Sequence, residues 1–279
     1  REQSAAALHR LRYERGEAVL PEGKFEDFAG AAAQTPCLNV TMEQPTVIYL
    51  RGFTGERYTG TGWEAMDREA KAAQSDLIYW LHRDGFYPQM QLAAAAESLP
   101  QAYETQKIQI ENTGACSALE YVPYGLAAIP SGSGLTADTL EEALVPARMA
   151  RGARQYSLTI FTATEQTAEA VLAALTEQPE AAGTYLSQEG SYRSAVQARE
   201  TEIPEETRAQ LAPVLDEICR EYGAAEELTP EQAQLCTLRF LEQIGTLRDG
   251  GTELPLDDLT KDTSYQTATL TVLALRYYG

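Results

Sequence analysis

Histidine is almost missing from this chain, which has only two in 279 residues, His9 and His82. Two histidines are too few for a histidine-rich metal cluster, and they leave little room for a conventional catalytic triad. The cysteines are also sparse and far apart, so they match neither a CxxC motif nor the ligand spacing of a zinc site. We therefore expect no metal and no cofactor. Disulfides are permitted but not required among the four cysteines, Cys37, Cys116, Cys219 and Cys236.

Long apolar runs are missing as well. The sequence has no stretch like the apolar part of a signal peptide and no uninterrupted run of about 18 apolar residues, which a membrane-spanning helix needs. Basic residues are few, because 22 Lys and Arg stand against 41 Asp and Glu, for a net charge of −19. A field this negative repels phosphate backbones and argues against a nucleic-acid partner. We expect a soluble piece of a longer protein.

The first part of the chain has the short runs and turn residues of antiparallel strands. Residues 38–42 and 47–50 are predicted strands, while 51–63 is rich in Gly, Thr and Tyr, which favours a β-ribbon with tight turns. Apolar residues alternate within 106–111 and within 156–162. This alternation predicts two more half-buried strands.

Helical patterns interrupt and then replace the strands. A helix is predicted from about residue 64 to 83, with Gly85 as its stop signal, and a second helix over 167–178. From Pro204 onward, apolar residues recur with the period of an amphipathic helix. A last helix is predicted from near Ser264 to Tyr278.

The helix after residue 228 has a distinct start signal. Thr229 is predicted to cap it, Pro230 to occupy its first position, and Gln232 to complete a Thr-x-x-Gln capping box. Gly245 is the predicted end. The predicted buried stripe of this helix consists of Leu235, Leu238, Leu241 and Ile244.

Acidic residues crowd the segment 248–261, which we predict to be a loop. Clustered carboxylates are compatible with calcium, but the EF-hand pattern is absent from the sequence, so a solvated loop is favoured over a metal site. The acidic residues are Asp249, Glu253, Asp257 and Asp258.

Strands come first and helices follow, without regular βαβ alternation, and this order predicts an α+β fold. We expect a β-rich accessory domain with one inserted helix over residues 1–165. Residues 166–279 form the second predicted domain, which is helical.

Two segments carry a resemblance to a known family. The first segment, 49–63, reads YLRGFTGERYTGTGW, and the second, 268–279, reads ATLTVLALRYYG. Both resemble the extracytoplasmic region of bacterial membrane-anchored transglutaminase-like proteins. The second is similar to the helix that starts the transglutaminase-like core. The resemblance implies that the helical part leads into a truncated or degenerate papain-like core.

The resemblance also implies where a nucleophile would lie. In that family a cysteine at a helix N-terminus carries the chemistry, because the helix dipole and a histidine lower its pKa. Alignment on Ala268 places Ser264 at the cysteine position, Asp262 at a glycine and Gln266 at a histidine. The family's catalytic His and Asp would follow Gly279. We therefore expect no catalytic residue in this chain, and Ser264 is interpreted as a helix cap.

The resulting hypothesis is a non-catalytic extracytoplasmic scaffold or binding region at the cell envelope, in a protein tethered to the membrane by segments outside this chain. A pseudoenzyme or binding module that recognises a protein or an envelope polymer is the first alternative. A fragment of an active cysteine peptidase or transglutaminase, with Cys219 or Cys236 as nucleophile, is the second. Tyr58 and Trp63 are candidate ligand-binding residues, with the core of a β-ribbon as the competing interpretation.

Overall fold

The computed structural model describes residues 36–52, 54–115, 119–137, 145–146, 154–221, 228–250 and 264–279. It divides into two compact units. Unit 1 includes Gly30–Thr54 and Met66–Arg193, and unit 2 includes Gly55–Ala65 and Ser194–Gly279. This grouping differs from the predicted ranges 1–165 and 166–279, because the β-ribbon belongs with the C-terminal helices.

The described residues form ten short strands and seven α-helices, so the expected α+β class is confirmed. The strands are β1 (Leu38–Met42), β2 (Leu50–Arg51), β3 (Arg57–Tyr58), β4 (Trp63–Glu64), β5 (Thr105–Asn112), β6 (Val122–Pro123), β7 (Leu126–Ala128), β8 (Leu135–Thr136), β9 (Val145–Pro146) and β10 (Gln155–Phe161). The helices are α1 (Arg68–Arg83), α2 (Gln91–Glu97), α3 (Thr164–Glu177), α4 (Gly183–Glu200), α5 (Glu205–Glu221), α6 (Pro230–Gly250) and α7 (Ser264–Tyr278).

Unit 1 is built on a four-stranded antiparallel sheet with the order β1-β5-β10-β7. Side chains alternate along β5, so Gln106, Ile108 and Ile110 are buried while their neighbours face solvent. Leu158 of β10 pairs with Ile108 across the ladder and extends the same buried face. The strands predicted from alternation in 106–111 and 156–162 are therefore confirmed, as is the strand at 38–42.

Local signals fix the ends of α1. The carboxylate of Asp67 accepts a hydrogen bond from the Ala70 N–H at 2.8 Å and so caps the first turn. Gly85 follows the last turn with φ of +83°, a left-handed conformation that glycine adopts without strain. The predicted stop is confirmed, although the helix begins at residue 68 rather than 64.

Two expectations for unit 1 are wrong or incomplete. The predicted strand at 47–50 is reduced to Leu50, the first residue of β2, because the partner strand β6 is only two residues long. The alanine-rich α2 and the long α4 were not predicted, since neither has the regular apolar stripe that signals an amphipathic helix.

Unit 2 combines the β3–β4 ribbon with α5, α6, α7 and the C-terminal part of α4. The predicted capping box of α6 is confirmed in both directions. The Thr229 N–H donates to Gln232 Oε1 at 2.9 Å, and the Gln232 N–H donates to Thr229 Oγ1 at 3.3 Å. The helix does not end at Gly245 but continues to Gly250.

The predicted buried stripe of α6 is confirmed at Ile244 but is wrong at Leu235 and Leu238. Leu235 and Leu238 are half exposed, whereas Cys236, Phe240 and Ile244 are buried. The buried residues follow an i, i+4, i+8 spacing, which differs from the i, i+3, i+6 spacing of the leucines. Within the described residues no helix combines the length and apolarity that crossing a membrane requires.

Candidate functional site

The two predicted binding residues lie opposite each other in the β-ribbon of unit 2. Tyr58 of β3 and Trp63 of β4 form a cross-strand pair, with ring centroids 5.2 Å apart and a tilt of 53°. Only 2% of Tyr58 and 8% of Trp63 is exposed. The hydroxyl of Tyr58 donates to the Gly60 carbonyl oxygen at 3.0 Å. This arrangement fits the core of a ribbon better than a surface for ligands.

Trp63 is in contact with α7. Its indole Nε1–H donates to the Thr269 Oγ1 at 3.1 Å. The guanidinium carbon of Arg276 lies 5.0 Å from the Trp63 ring centroid, within the range of a cation–π interaction. These two contacts attach the ribbon to the last helix and occupy the polar edge and one face of the indole.

Charged side chains that are buried or partly buried surround this contact. Burial lowers the pKa of Arg276, while the nearby carboxylates of Glu200 and Glu56 oppose that shift. Arg199 forms an ion pair with Glu56 and a second, of 2.6 Å, with Glu200. Arg199 is thus paired with two carboxylates, while the Arg276 guanidinium donates to the Glu202 carbonyl oxygen at 3.4 Å. We interpret the cluster as a structural element of unit 2.

Ser264 is the first residue of α7, where the sequence predicts the helix to begin. The two preceding residues, Asp262 and Thr263, lie outside the described residues. Gln266 is buried in the first turn of the helix. The segment Ser264–Gly279 contains neither cysteine nor histidine, so it offers no thiol and no imidazole base.

The thiols of unit 2 have surroundings unlike those of an activated nucleophile. Cys219 lies near the C-terminal end of α5, and Cys236 lies within α6. Burial raises the pKa of Cys219, and the nearby Cys236 raises it further. A catalytic cysteine needs a lowered pKa and a helix N-terminus or a basic partner.

The acidic segment 248–261 is only partly described. Asp249 belongs to the last turn of α6, while Glu253, Asp257 and Asp258 lie outside the described residues. Among the residues that are described, no group of three or more His, Cys, Asp or Glu side chains is placed to hold a metal ion.

A group of exposed apolar side chains suited to binding lies in unit 1. Tyr49 and Tyr124 extend the β2–β6 pairing by one residue, and the Tyr124 N–H donates to the Tyr49 carbonyl oxygen at 3.0 Å. Residues opposite each other in this register share one face of the ladder. Tyr49 is 64% exposed, Tyr124 is 70% exposed and the neighbouring Val47 is 69% exposed. Three large apolar side chains are thus grouped on the surface.

These three residues line one cleft, which has a volume of about 210 Å³ and includes Ile160 and the first turn of α3. Pockets that bury small-molecule ligands have volumes of roughly 300–1,000 Å³. The cleft is therefore suited to one or two side chains of a larger partner. We call the surface formed by Val47, Tyr49, Tyr124 and Glu165 the tyrosine cleft.

Gly125 allows the wall of the tyrosine cleft to approach α3 closely. A Cβ added to Gly125 would lie 2.6 Å from the Cγ2 of Thr164, which is inside van der Waals contact. The Gly125 carbonyl oxygen also accepts a hydrogen bond of 3.0 Å from the Phe161 N–H. Sequence reasoning missed Tyr124, although the neighbouring Pro123 and Gly125 marked a possible turn.

Comparison with known proteins adds no relative. No family model matches the chain, and neither the curated proteins nor the solved structures include one with significant similarity.

Proposed function

We propose that this chain is a non-catalytic scaffold and binding region of a transglutaminase-like protein, located outside the cytoplasm at the cell envelope. In this proposal, the full-length protein is membrane-tethered. Unit 2 leads toward the core, and the tyrosine cleft of unit 1 holds a partner protein.

One observation carries the relation to transglutaminase-like proteins. The two segments that bear the resemblance, 49–63 and 268–279, meet through Trp63 of the first and Thr269 and Arg276 of the second. The hydrogen bond joins residues 206 positions apart in sequence. The resemblance requires that both segments belong to one connected architecture. The contact between them supports this requirement.

The absence of catalysis is supported by the residues of the segment that resembles the core. Ser264 stands where a cysteine would act, and a serine hydroxyl needs a base held against it to become a nucleophile. The two cysteines of unit 2 occur inside helices, and the pKa of Cys219 is raised by burial. These features favour a scaffold over the alternative of an active cysteine enzyme.

A protein segment is the proposed occupant of the tyrosine cleft. Exposed tyrosines are enriched at protein interfaces because they combine a large apolar area with a hydroxyl and little flexibility. Glu165 lines the cleft, and the chain carries a net charge of −19. Both charges favour a partner segment with basic residues beside its apolar side chains.

Photo-cross-linking in the native cell tests this proposal. The photoreactive amino acid p-benzoylphenylalanine replaces Tyr124 in one variant and Tyr79 in a matched control, since Tyr79 of α1 is 61% exposed but outside the cleft. We expect one defined protein adduct at position 124 and none at position 79. A Tyr49→Ala substitution should reduce the yield at position 124 about tenfold, as loss of an interface hot spot does.

Three outcomes would contradict the proposal. Equal labelling at positions 79 and 124 would mean that the cleft has no selective partner. A yield that is insensitive to Tyr49→Ala would place the partner elsewhere. An adduct with an envelope polymer instead of a protein would favour the alternative binding module.

A further inference from the structure

A second cleft of unit 1 lies between α2 and the edge strand β7, and we call it the α2–β7 cleft. It is lined by Ala96 and Glu97 of α2, by residues of the segment 99–105, by Ala127 of β7, and by Thr159 and Phe161 of β10. Its volume is about 440 Å³, larger than that of the tyrosine cleft, and the two clefts share no lining residue. This volume is in the range of pockets that bury a small-molecule ligand.

A bulge and small side chains create the space. The ladder between β7 and β10 shifts by one residue at Ala127, since Thr159 pairs with Ala128 and the residue after it pairs with Leu126. A bulge of this kind bends the strand and redirects its side chains. Ala127 packs against the apolar cluster that contains Ala96 of α2. Neither alanine has an atom beyond Cβ, so the packing of α2 against the sheet leaves room for a ligand.

Two aromatic rings form one wall of the α2–β7 cleft. The ring centroids of Tyr103 and Phe161 are 6.4 Å apart and the rings are nearly perpendicular, at 89°. Phe161 is only 4% exposed, so packing holds its ring in place. The Tyr103 hydroxyl donates to Gln101 Oε1 at 2.8 Å, which orients the second ring. A wall of this kind favours an apolar ligand that is itself flat or aromatic.

The charge of the cleft is negative. Of the lining residues that the structure describes, Glu97 alone carries a charge, and it is exposed at the last position of α2. Lys107 lies opposite Thr159 in the ladder between β5 and β10, but it is not among the lining residues. The net charge of −19 adds to the attraction for cations. The complementary ligand therefore joins an apolar body to a positively charged group.

We propose that the α2–β7 cleft binds a small arylalkylamine, whose ring packs against Phe161 and Ala127 and whose protonated amino group lies against the Glu97 carboxylate. Thr105 and Thr159 contribute hydroxyl groups to the lining, which can hydrogen-bond to polar atoms of such a ligand. This inference is independent of the proposed function, because it concerns a different cleft and a ligand of a different class.

NMR titration of the full chain, labelled with ¹³C at the alanine methyl groups, tests the proposal. The probes are tryptamine and indole-3-propionate, which have the same ring and the same two-carbon linker but opposite charges. We expect tryptamine to shift the methyl signals of Ala96 and Ala127 with a dissociation constant of roughly 1 mM, as suits a ligand this small. Indole-3-propionate should bind about tenfold more weakly. Ala72, an exposed residue of α1 outside the cleft, is the control signal.

Two substitutions test the two halves of the ligand separately. Glu97→Gln should raise the dissociation constant of tryptamine about fivefold, as loss of an exposed ion pair does. Glu104→Gln is the matched control, with an expected change below about twofold, because Glu104 is also exposed but does not line the cleft. Ala128→Leu should fill the cleft and raise the constant about tenfold, with Ala72→Leu as its control. Ala128 is exposed, so we expect the variant to fold, and its alanine methyl spectrum reports this directly.

Four results would overturn the proposal. Equal affinities for the two probes would show that the cleft does not select a cation. Equal effects of Glu97→Gln and Glu104→Gln would mean that only the net charge of the chain matters. Shifts at Ala72 as large as those at Ala96 would indicate non-specific binding. No shift at Ala96 or Ala127 up to about 10 mM tryptamine would exclude an arylalkylamine site. None of these results bears on the tyrosine cleft, which the cross-linking experiment tests.

Discussion

At the scale of single residues, a buried polar atom of unit 2 can depend on one hydrogen-bond partner from a distant part of the chain. Trp63 illustrates this, because its indole is buried and its N–H is satisfied by one hydroxyl from a distant helix. Removing one member of such a pair leaves the other buried without a partner, which costs more than the hydrogen bond contributes.

Substitution of this pair should be non-additive. Thr269→Val, which leaves the Trp63 N–H without its partner, is expected to reduce the free energy of unfolding by about 2 kcal/mol. Trp63→Phe should cost a similar amount, because it removes both the N–H and buried ring area. The double variant should cost less than the sum by about 1 kcal/mol, as measured by urea unfolding.

Thr271→Val is the matched control for this cycle. Thr271 is on the same helix, but its hydroxyl donates to the Thr267 carbonyl oxygen at 2.8 Å, which already belongs to the helix backbone. We expect a change within about 0.5 kcal/mol. Additivity of Trp63→Phe and Thr269→Val would show that the hydrogen bond contributes little.

At the scale of elements, glycine decides how closely the β6–β7 connection and α3 approach each other. Gly125 has no side chain where Thr164 begins the helix, and the Phe161 N–H bonds to its carbonyl oxygen at 3.0 Å. The wall of the tyrosine cleft therefore depends on one residue without a Cβ.

Gly125→Ala should reduce the free energy of unfolding by about 2 kcal/mol, because the new methyl group overlaps the Thr164 side chain. A Thr164→Ala substitution in that background should restore part of the loss. Gly190→Ala in α4 is the control, since its added Cβ would meet nothing within 4 Å. We expect the control to be neutral or slightly stabilising, and equal losses at both glycines in thermal unfolding would contradict this interpretation.

At the scale of the whole molecule, the net charge of −19 is the dominant long-range property. An excess of one sign repels itself and destabilises compact states, and salt screens that repulsion over a Debye length of about 10 Å at 0.1 M. Short ion pairs such as Arg199 with Glu56 act in the opposite direction, but they are few among the described residues.

The unfolding temperature at pH 7 should therefore increase when NaCl is raised from about 10 to about 200 mM. Differential scanning calorimetry measures the change. Near pH 4, where many carboxylates are protonated and the net charge is smaller, the same salt step should have a smaller effect. A decrease with salt at pH 7 would mean that specific ion pairs outweigh general repulsion.

Sequence by itself determined the features that depend on neighbouring residues. The capping box of Thr229 and Gln232 and the alternation of Ile108 and Ile110 each predicted a local structure that is present. The β-ribbon with Tyr58 opposite Trp63 was predictable for the same reason, since tight turns depend on nearby glycines. These signals involve residues only a few positions apart, so they can be recognised without knowing the tertiary structure.

Tertiary structure alone decided which surfaces meet. It buries Cys236 and Phe240 rather than the leucines of α6, because helices pack by complementary shape as well as by apolar content. It also brings Trp63 to Thr269. Contacts between elements arise from the path of the whole chain, and no pattern within one element specifies the partner on another.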